Sequence, residues 1–176
     1  MVDMIEKLQK ENAILMKLLE QDGLTGLYNR KAIEEKVNHL LSVCQNCGMI
    51  VLDINQFKQV NDELGHLIGD YVLQNVARTL KEGFRFDDFV ARVGGDEFVI
   101  FFTGFINEEV IAYRMAKMNE QLSKLKLKDG RDCPVQLCYG YSASQKRDTY
   151  ETLFDRADQV LLEKKRKRRK KAACER

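Results

Sequence analysis

Two short segments carry carboxylates where strand packing alone would not put them. Met49-Ile50-Val51-Leu52 is an unbroken apolar run ending on Asp53, the pattern of a buried central strand that finishes on an ionisable group. Gly94-Gly95-Asp96-Glu97 separates the apolar runs Phe89–Val93 and Phe98–Thr103, which read as two strands joined by a hairpin whose glycines supply positive φ. If these strands are neighbours, Asp53 and Asp96 face each other. Converging carboxylates need a cation, or one of them must take up a proton. Hard oxygen ligands suit Mg²⁺, which keeps several waters and is commonly shared with substrate phosphates. The chemistry this favours is phosphoryl or nucleotidyl transfer, in which a metal lowers the pKa of an attacking hydroxyl and neutralises phosphate charge. Paired glycines leave backbone open for a triphosphate to approach. Alone, the hairpin reads as an ordinary surface turn; Asp53 and the loop after it reverse that balance towards a site.

Lys58 follows Asp53 by five residues, with Phe57 between them as a buried anchor. A lysine in that loop reaches phosphate oxygens or is a solvated surface residue. Asn61 and Asp70 flank a stretch containing Gly65 and Gly69. Each is open to a plain capping role, yet an amide with a carboxylate also matches the donor and acceptor edge of guanine. His66 sits between the two glycines, where a structural or backbone-positioning role is preferred over acid–base work.

The elements that must position these residues follow from periodicity. Residues 2–20 read as a helix with Ile5, Leu8, Asn12, Leu15 and Leu19 at alternating spacings of 3 and 4. That is a short a/d seam with Asn12 at an a position. It is either a dimerisation seam, a helix docked on its own domain, or the end of a longer helix. Turn chemistry at Asp22-Gly23-Leu24-Thr25-Gly26 interrupts it. A helix over Arg30–Val43 follows, then the strand ending at Asp53. Because Gly65 and Gly69 each cost about 1 kcal/mol inside a helix, one turn is expected over Asn61–Leu64, a loop through His66–Gly69, and a helix from Asp70. A helix over Glu108–Lys126, a strand at Val135–Tyr141 and a helix from Tyr150 into a basic tail complete the chain. The β-α-β-β-α-β core is an α+β, ferredoxin-like (palm-like) plan, with a mixed sheet and helices on one face.

Composition excludes several classes. The 176 residues are 44% hydrophobic and 32% charged, with 11 glycines and one proline, which argues for one folded domain rather than a disordered or fibrous chain. No apolar run is long enough to span a bilayer and Met1–Lys10 is too charged for a signal peptide, so a soluble, cytoplasmic protein is expected. The formal net charge of +2 divides into +8 over residues 164–176 and −6 over the remainder. Binding to nucleic acid or an anionic surface would therefore rest on the basic run 164–171. Five cysteines, Cys44, Cys47, Cys133, Cys138 and Cys174, suggest reduced thiols. Cys44 and Cys47 have the spacing of a zinc half-site or redox pair, but no second pair completes it.

Taken together, Leu52-Asp53-Ile54-Asn55-Gln56-Phe57-Lys58-Gln59-Val60-Asn61-Asp62, Gly65-His66, Gly69-Asp70 and Ala91-Arg92-Val93-Gly94-Gly95-Asp96-Glu97-Phe98 resemble the GGDEF diguanylate cyclases. Asp22-Gly23-Leu24-Thr25-Gly26-Leu27-Tyr28-Asn29-Arg30 is similar to that family's N-terminal signature. The resemblance covers about residues 21–165, leaving 1–20 as an N-terminal helix and 166–176 as a basic tail. It implies condensation of two GTP into cyclic di-GMP with release of pyrophosphate, each subunit of a homodimer holding one GTP. By position, Asp53, the Ile54 carbonyl and Asp96 would ligate Mg²⁺ (Mn²⁺ being the alternative), with Asp96 or Glu97 helping to deprotonate the 3′-hydroxyl. Gly94 and Gly95 would admit the nucleotide, Lys58 would hold phosphate, and Asn61 and Asp70 would read guanine with His66 beside them. Lys165 and Arg169 fall where the family has phosphate-contacting residues. Arg85-Phe86-Asp87-Asp88 resembles the RxxD site where product binds and inhibits, through Arg85 and Asp88; an arginine fork suits phosphate or guanine.

The departures are specific. Asn55 stands where the family often has a second aspartate, Leu162 replaces a tyrosine, and Arg168 takes a glycine position, so the last helix is expected to run on. Two alternatives to an active cyclase follow: an inactive GGDEF-like module that binds GTP or cyclic di-GMP as a sensor, and a nucleic-acid-associated protein acting through the basic tail. Asp53, Asp96 and Glu97 are all retained, which favours the enzyme.

Overall fold

The computed structural model describes residues 2–44, 46–104 and 107–174. In chain order its elements are α1 (Val2–Glu20), α2 (Arg30–Val43), β1 (Cys47–Ile54), α3 (Phe57–Leu64), α4 (His66–Gly83), β2 (Phe89–Arg92), β3 (Glu97–Thr103), α5 (Glu108–Leu122), β4 (Leu137–Ala143) and α6 (Tyr150–Cys174). The four strands form one sheet in the order β2-β3-β1-β4. Its ladders are all antiparallel; a parallel component enters through the bridge of Tyr28 to Ala91.

The sheet is covered on both faces, not one as expected. Side chains alternate along a strand, so Ile50, Leu52 and Ile54 of β1 join Phe98, Ile100 and Phe102 of β3 on one face. That face packs against Val72, Val76 and Leu80 of α4 and Ile111 and Met115 of α5. Met49, Val51, Val99 and Phe101 face the other way, onto Ile33 and Val37 of α2 and Leu153, Ala157 and Leu161 of α6. Full burial of each such side chain is worth about 1.5–3 kcal/mol. The parity of β1 and β3 then places Asp53 and Glu97 on the α2/α6 face.

Four local expectations are corrected. The loop through His66–Gly69 is helical: α4 begins at His66, α3 begins at Phe57, and the break between them is the single residue Gly65 at φ +85°. Gly69 is tolerated inside α4 because it lies against the Asn61 side chain, in space a Cβ would fill. Neither Gly94 nor Gly95 has positive φ; a Cβ at Gly94 would come within 2.8 Å of Glu97 Oε2, the free end of a side chain that can turn aside. Helix α5 stops at Leu122, short of Lys126, because the Leu122 and Leu125 carbonyls accept from the Val135 and Cys133 amides, at 3.1 and 2.8 Å. Those carbonyls are then committed outside the helix, and β4 starts two residues later than expected.

Helix α6 runs unbroken through residues 165–168, as the missing glycine predicts. Its start is fixed by Arg156, which donates to both Asp148 carboxylate oxygens at 2.8 and 2.6 Å and to the Ala143 carbonyl at 3.0 Å. In α1, Ile5, Leu8, Leu15 and Leu19 are 51–72% exposed, so this face does not dock on the body of its own chain. The Asn12 side chain lies outside the described residues, as does that of Cys174. Among the described residues no helix is long and apolar enough to cross a membrane.

Candidate active site

The central feature is an acidic cluster at the carboxyl end of β1. Asp53 is paired directly with Glu97 in the β1–β3 register, and Asp96 precedes Glu97 at the tip of the β2–β3 hairpin. Burial, reinforced by the Asp53 charge, pushes the Asp96 carboxyl above its ordinary range. Glu97 is raised by burial and by Asp158, Asp53 and Asp96 together. Asp158 of α6 is raised as well, chiefly by burial. Four carboxylates thus repel one another in a partly desolvated corner.

Three cations offset them. Lys165 Nζ lies 2.5 Å from Asp53 Oδ2. Arg92 donates to the Gly95 carbonyl at 2.8 and 3.1 Å and pairs with Asp22 at 3.2 Å, which shapes the hairpin tip. Arg30, the first residue of α2, opposes the charge of Glu97. The Asp22 carboxylate is held below its usual range against the effect of burial by Thr25 and Arg92, and its Oδ1 also accepts from the Thr25 amide and hydroxyl.

Arg92, Asp158, Arg30 and Asp22 were not singled out as site residues from the sequence. Arg92 and Asp22 do stand inside the motif segments, so their position was visible although their partnership was not. Asp158 and Lys165 are seven residues apart on α6, two turns of one face. That spacing was available as a signal, but only the packing of α6 shows that the face meets Asp53 and Glu97.

The loop residues form a second group. Phe57 is buried and anchors α3, leaving Lys58 exposed one residue on. Asn61 lies against Gly69, so the α3–α4 corner brings Asn61 next to Asp70. His66 and Asp70 are exposed, one turn apart on α4. A cavity of about 520 Å³, lined by Leu24, Ile68, Asp70, Tyr71 and Gln74, opens beside them. Arg169 is exposed one turn beyond Lys165, whereas Arg168 bonds Gln136 at 2.6 Å.

Arg85 and Asp88 lie at the start of β2, away from the hairpin tip at its far end. The Asp88 carboxylate accepts from the Arg85 amide at 2.8 Å, and the Asp88 amide donates to the Arg85 carbonyl at 3.0 Å. With Asp88 committed to this turn, the exposed Arg85 guanidinium makes no ion pair among the described residues. Cys44, Cys47, Cys133 and Cys138 are free thiols. Burial, with Cys44 nearby, pushes Cys47 up to about 11, which disfavours the thiolate a metal would need.

The donor set, carboxylate oxygens of Asp53 and Asp96, fits a hard divalent cation. Among the described residues no three His, Cys, Asp or Glu side chains are gathered to hold a metal by themselves. Protein ligands would therefore be completed by water or a bound phosphate, as is usual for Mg²⁺.

Residues 19–171 match the diguanylate cyclase GGDEF domain family. The chain is 33% identical over 150 residues to diguanylate cyclase DgcP of Pseudomonas aeruginosa, covering 82% of this chain and 22% of that one. It is 32% identical over 166 residues to diguanylate cyclase VdcA of Vibrio cholerae, covering 92% and 48%. The chain thus spans less than half the length of these curated relatives. The coiled coil and GGDEF domain of DgcB from Caulobacter crescentus, solved with c-di-GMP, superposes with a TM-score of 0.85 at 26% identity, covering 94% of this chain and 90% of that one. A family match over residues 19–171, most of the chain, places this protein in the diguanylate cyclase GGDEF domain family.

Proposed function

We propose that the chain is a diguanylate cyclase that condenses two GTP into cyclic di-GMP, releasing two pyrophosphates. The observation that carries this reading is the Asp53–Glu97 pairing with Asp96 beside it, a convergent carboxylate set at an open glycine turn. Asp53, Asp96 and the Ile54 carbonyl would hold Mg²⁺, with Mn²⁺ able to replace it. When bound, the ion neutralises the triphosphate and makes the 3′-hydroxyl easier to deprotonate.

The chain's own residues supply the rest. Gly94 and Gly95 keep the hairpin backbone open to the triphosphate, and Arg92 holds that turn through the Gly95 carbonyl. Lys58, Lys165 and Arg169 contact phosphates as cations. Asp70 accepts from the guanine N1–H and exocyclic amine while Asn61 completes the edge; His66 positions the start of α4. Asp96 or Glu97 takes the 3′-hydroxyl proton as general base.

One site holds one GTP, so closing the two-fold product needs a second copy facing the first. The exposed seam of Ile5, Leu8, Leu15 and Leu19 supports α1 as the pairing element, and the relative DgcB is described with a coiled coil. Product binding at Arg85 and Asp88 would limit turnover.

The test is direct. Purified protein, stripped of bound product, is incubated with GTP and Mg²⁺ and the nucleotides are separated. Cyclic di-GMP and pyrophosphate are expected; their absence sinks the reading.

A further inference from the structure

Lys165 occupies an unusual place for a phosphate-binding residue: its ammonium rests on Asp53, 2.5 Å from Oδ2, with the two side chains 25% and 15% exposed. Asp53 is the carboxylate that the reading above makes a principal metal ligand. An ammonium and a divalent cation repel each other at such range, so they cannot share that oxygen. Other cations nearby have contacts of their own, Arg30 opposing the charge of Glu97. Arg92 is tied to Asp22 and Gly95, Lys164 lies 3.9 Å above the Tyr139 ring, and Arg168 bonds Gln136. These contacts fix the register of α6, while Lys165 ends on a flexible four-carbon stem that can swing.

We propose that Lys165 is a built-in counter-cation of the metal site, displaced from Asp53 when nucleotide phosphates attract it, so that metal and nucleotide bind cooperatively. This rests on the proposed reading of the site. In the nucleotide-free protein the lysine balances the acidic corner and competes with the ion. Once a triphosphate is present, the ammonium moves to it and frees the Asp53 oxygen. Coupling of this kind is reciprocal: nucleotide tightens metal to the same degree that metal tightens nucleotide.

The experiment follows Mn²⁺ binding by electron paramagnetic resonance, with the full chain, alone and with the unreactive α,β-methylene analogue of GTP. Wild type is expected to bind Mn²⁺ weakly alone and at least about tenfold tighter with the analogue, within the usual range of such couplings. Lys165→Met should bind Mn²⁺ alone about tenfold more tightly than wild type, and the further gain on adding the analogue should be smaller than in wild type. Lys165→Arg keeps a cation on Asp53 and should retain the wild-type weakness. Lys165→Gln replaces the methionine variant if circular dichroism shows the latter unfolded. A folded, uncharged variant with wild-type or weaker Mn²⁺ affinity overturns the counter-cation proposal while leaving the cyclase reading intact. Wild type that binds no Mn²⁺ even with the analogue overturns both.

Discussion

Gly140 of β4 lies directly against the Ala157 carbonyl and the Leu161 amide of α6, with no room for a Cβ between strand and helix. Backbone meets backbone there, so neither side can yield by a rotamer change. This approach sets the depth at which α6 sits on the sheet, and α6 carries both Asp158 and Lys165 to the acidic corner.

Gly140→Ala should therefore act at two levels. Forcing the helix off the strand is expected to cost about 3 kcal/mol or more, the upper range for overpacking. It should also displace Lys165 from Asp53 and reduce cyclase turnover beyond what the unfolded fraction explains. Denaturant unfolding beside specific activity at low temperature checks this; a variant as stable as wild type would mean that α6 is not held by that contact.

Gly69→Ala tests a different kind of closeness. Its new methyl meets the end of the Asn61 side chain, which can rotate away at little cost in stability. Moving Asn61 should weaken nucleotide binding, raising KM for GTP about tenfold, equivalent to roughly 1.4 kcal/mol, with kcat nearly unchanged. A fall in kcat at constant KM would instead place Asn61 in the chemical step.

The contrast between these glycines shows what the sequence could convey. The apolar run before Asp53 and the β2–β3 hairpin are local patterns, and both formed where their own residues called for them. Gly69 failed as a local signal because its reason is tertiary: glycine propensity argued for a loop, and the Asn61 contact outweighed it. Gly94, expected for its backbone angles, has no positive φ and lies beside the Glu97 carboxylate. The acidic corner was legible as Asp53 with Asp96 and Glu97, since these sit at strand ends. Its counter-charges were not, because Arg92 acts through a backbone carbonyl and Lys165 arrives from 112 residues away along the chain.

Arg85→Ala separates regulation from catalysis. The Arg85–Asp88 turn is held through the Arg85 amide and carbonyl, so removing the guanidinium leaves its backbone frame in place. Initial rates without product should match wild type, and the concentration of cyclic di-GMP needed for half-inhibition should rise at least about tenfold, as expected for loss of a bidentate charged contact. Initial rates measured across a product titration decide it; an unshifted inhibition curve would remove Arg85 from the product site.

Asp96→Asn should abolish turnover and yet stabilise the metal-free protein. Burial and the Asp53 charge raise the Asp96 carboxyl, so the folded state binds its proton more tightly than the unfolded chain does. For a raised carboxyl the contribution to stability is fully present below the ordinary value of 3.8 and is lost as pH rises through the folded value. With metal chelated, wild type should therefore lose stability as pH climbs from that region towards neutrality, and Glu97 adds to the same trend. The amide carries no charge at any of these pH values. Screening by solvent keeps the gain at neutral pH to about 1 kcal/mol, or about 2–4 °C in Tm for a chain of this size. The gain should vanish on acidification, where wild-type Asp96 is itself protonated, and should reverse in sign when Mg²⁺ and nucleotide stabilise only the wild type. Thermal unfolding of both proteins with chelator across the pH range makes the comparison. A variant no more stable than wild type at neutral pH would show that Lys165 and Arg92 already neutralise the cluster, leaving no unbalanced charge for the metal to satisfy.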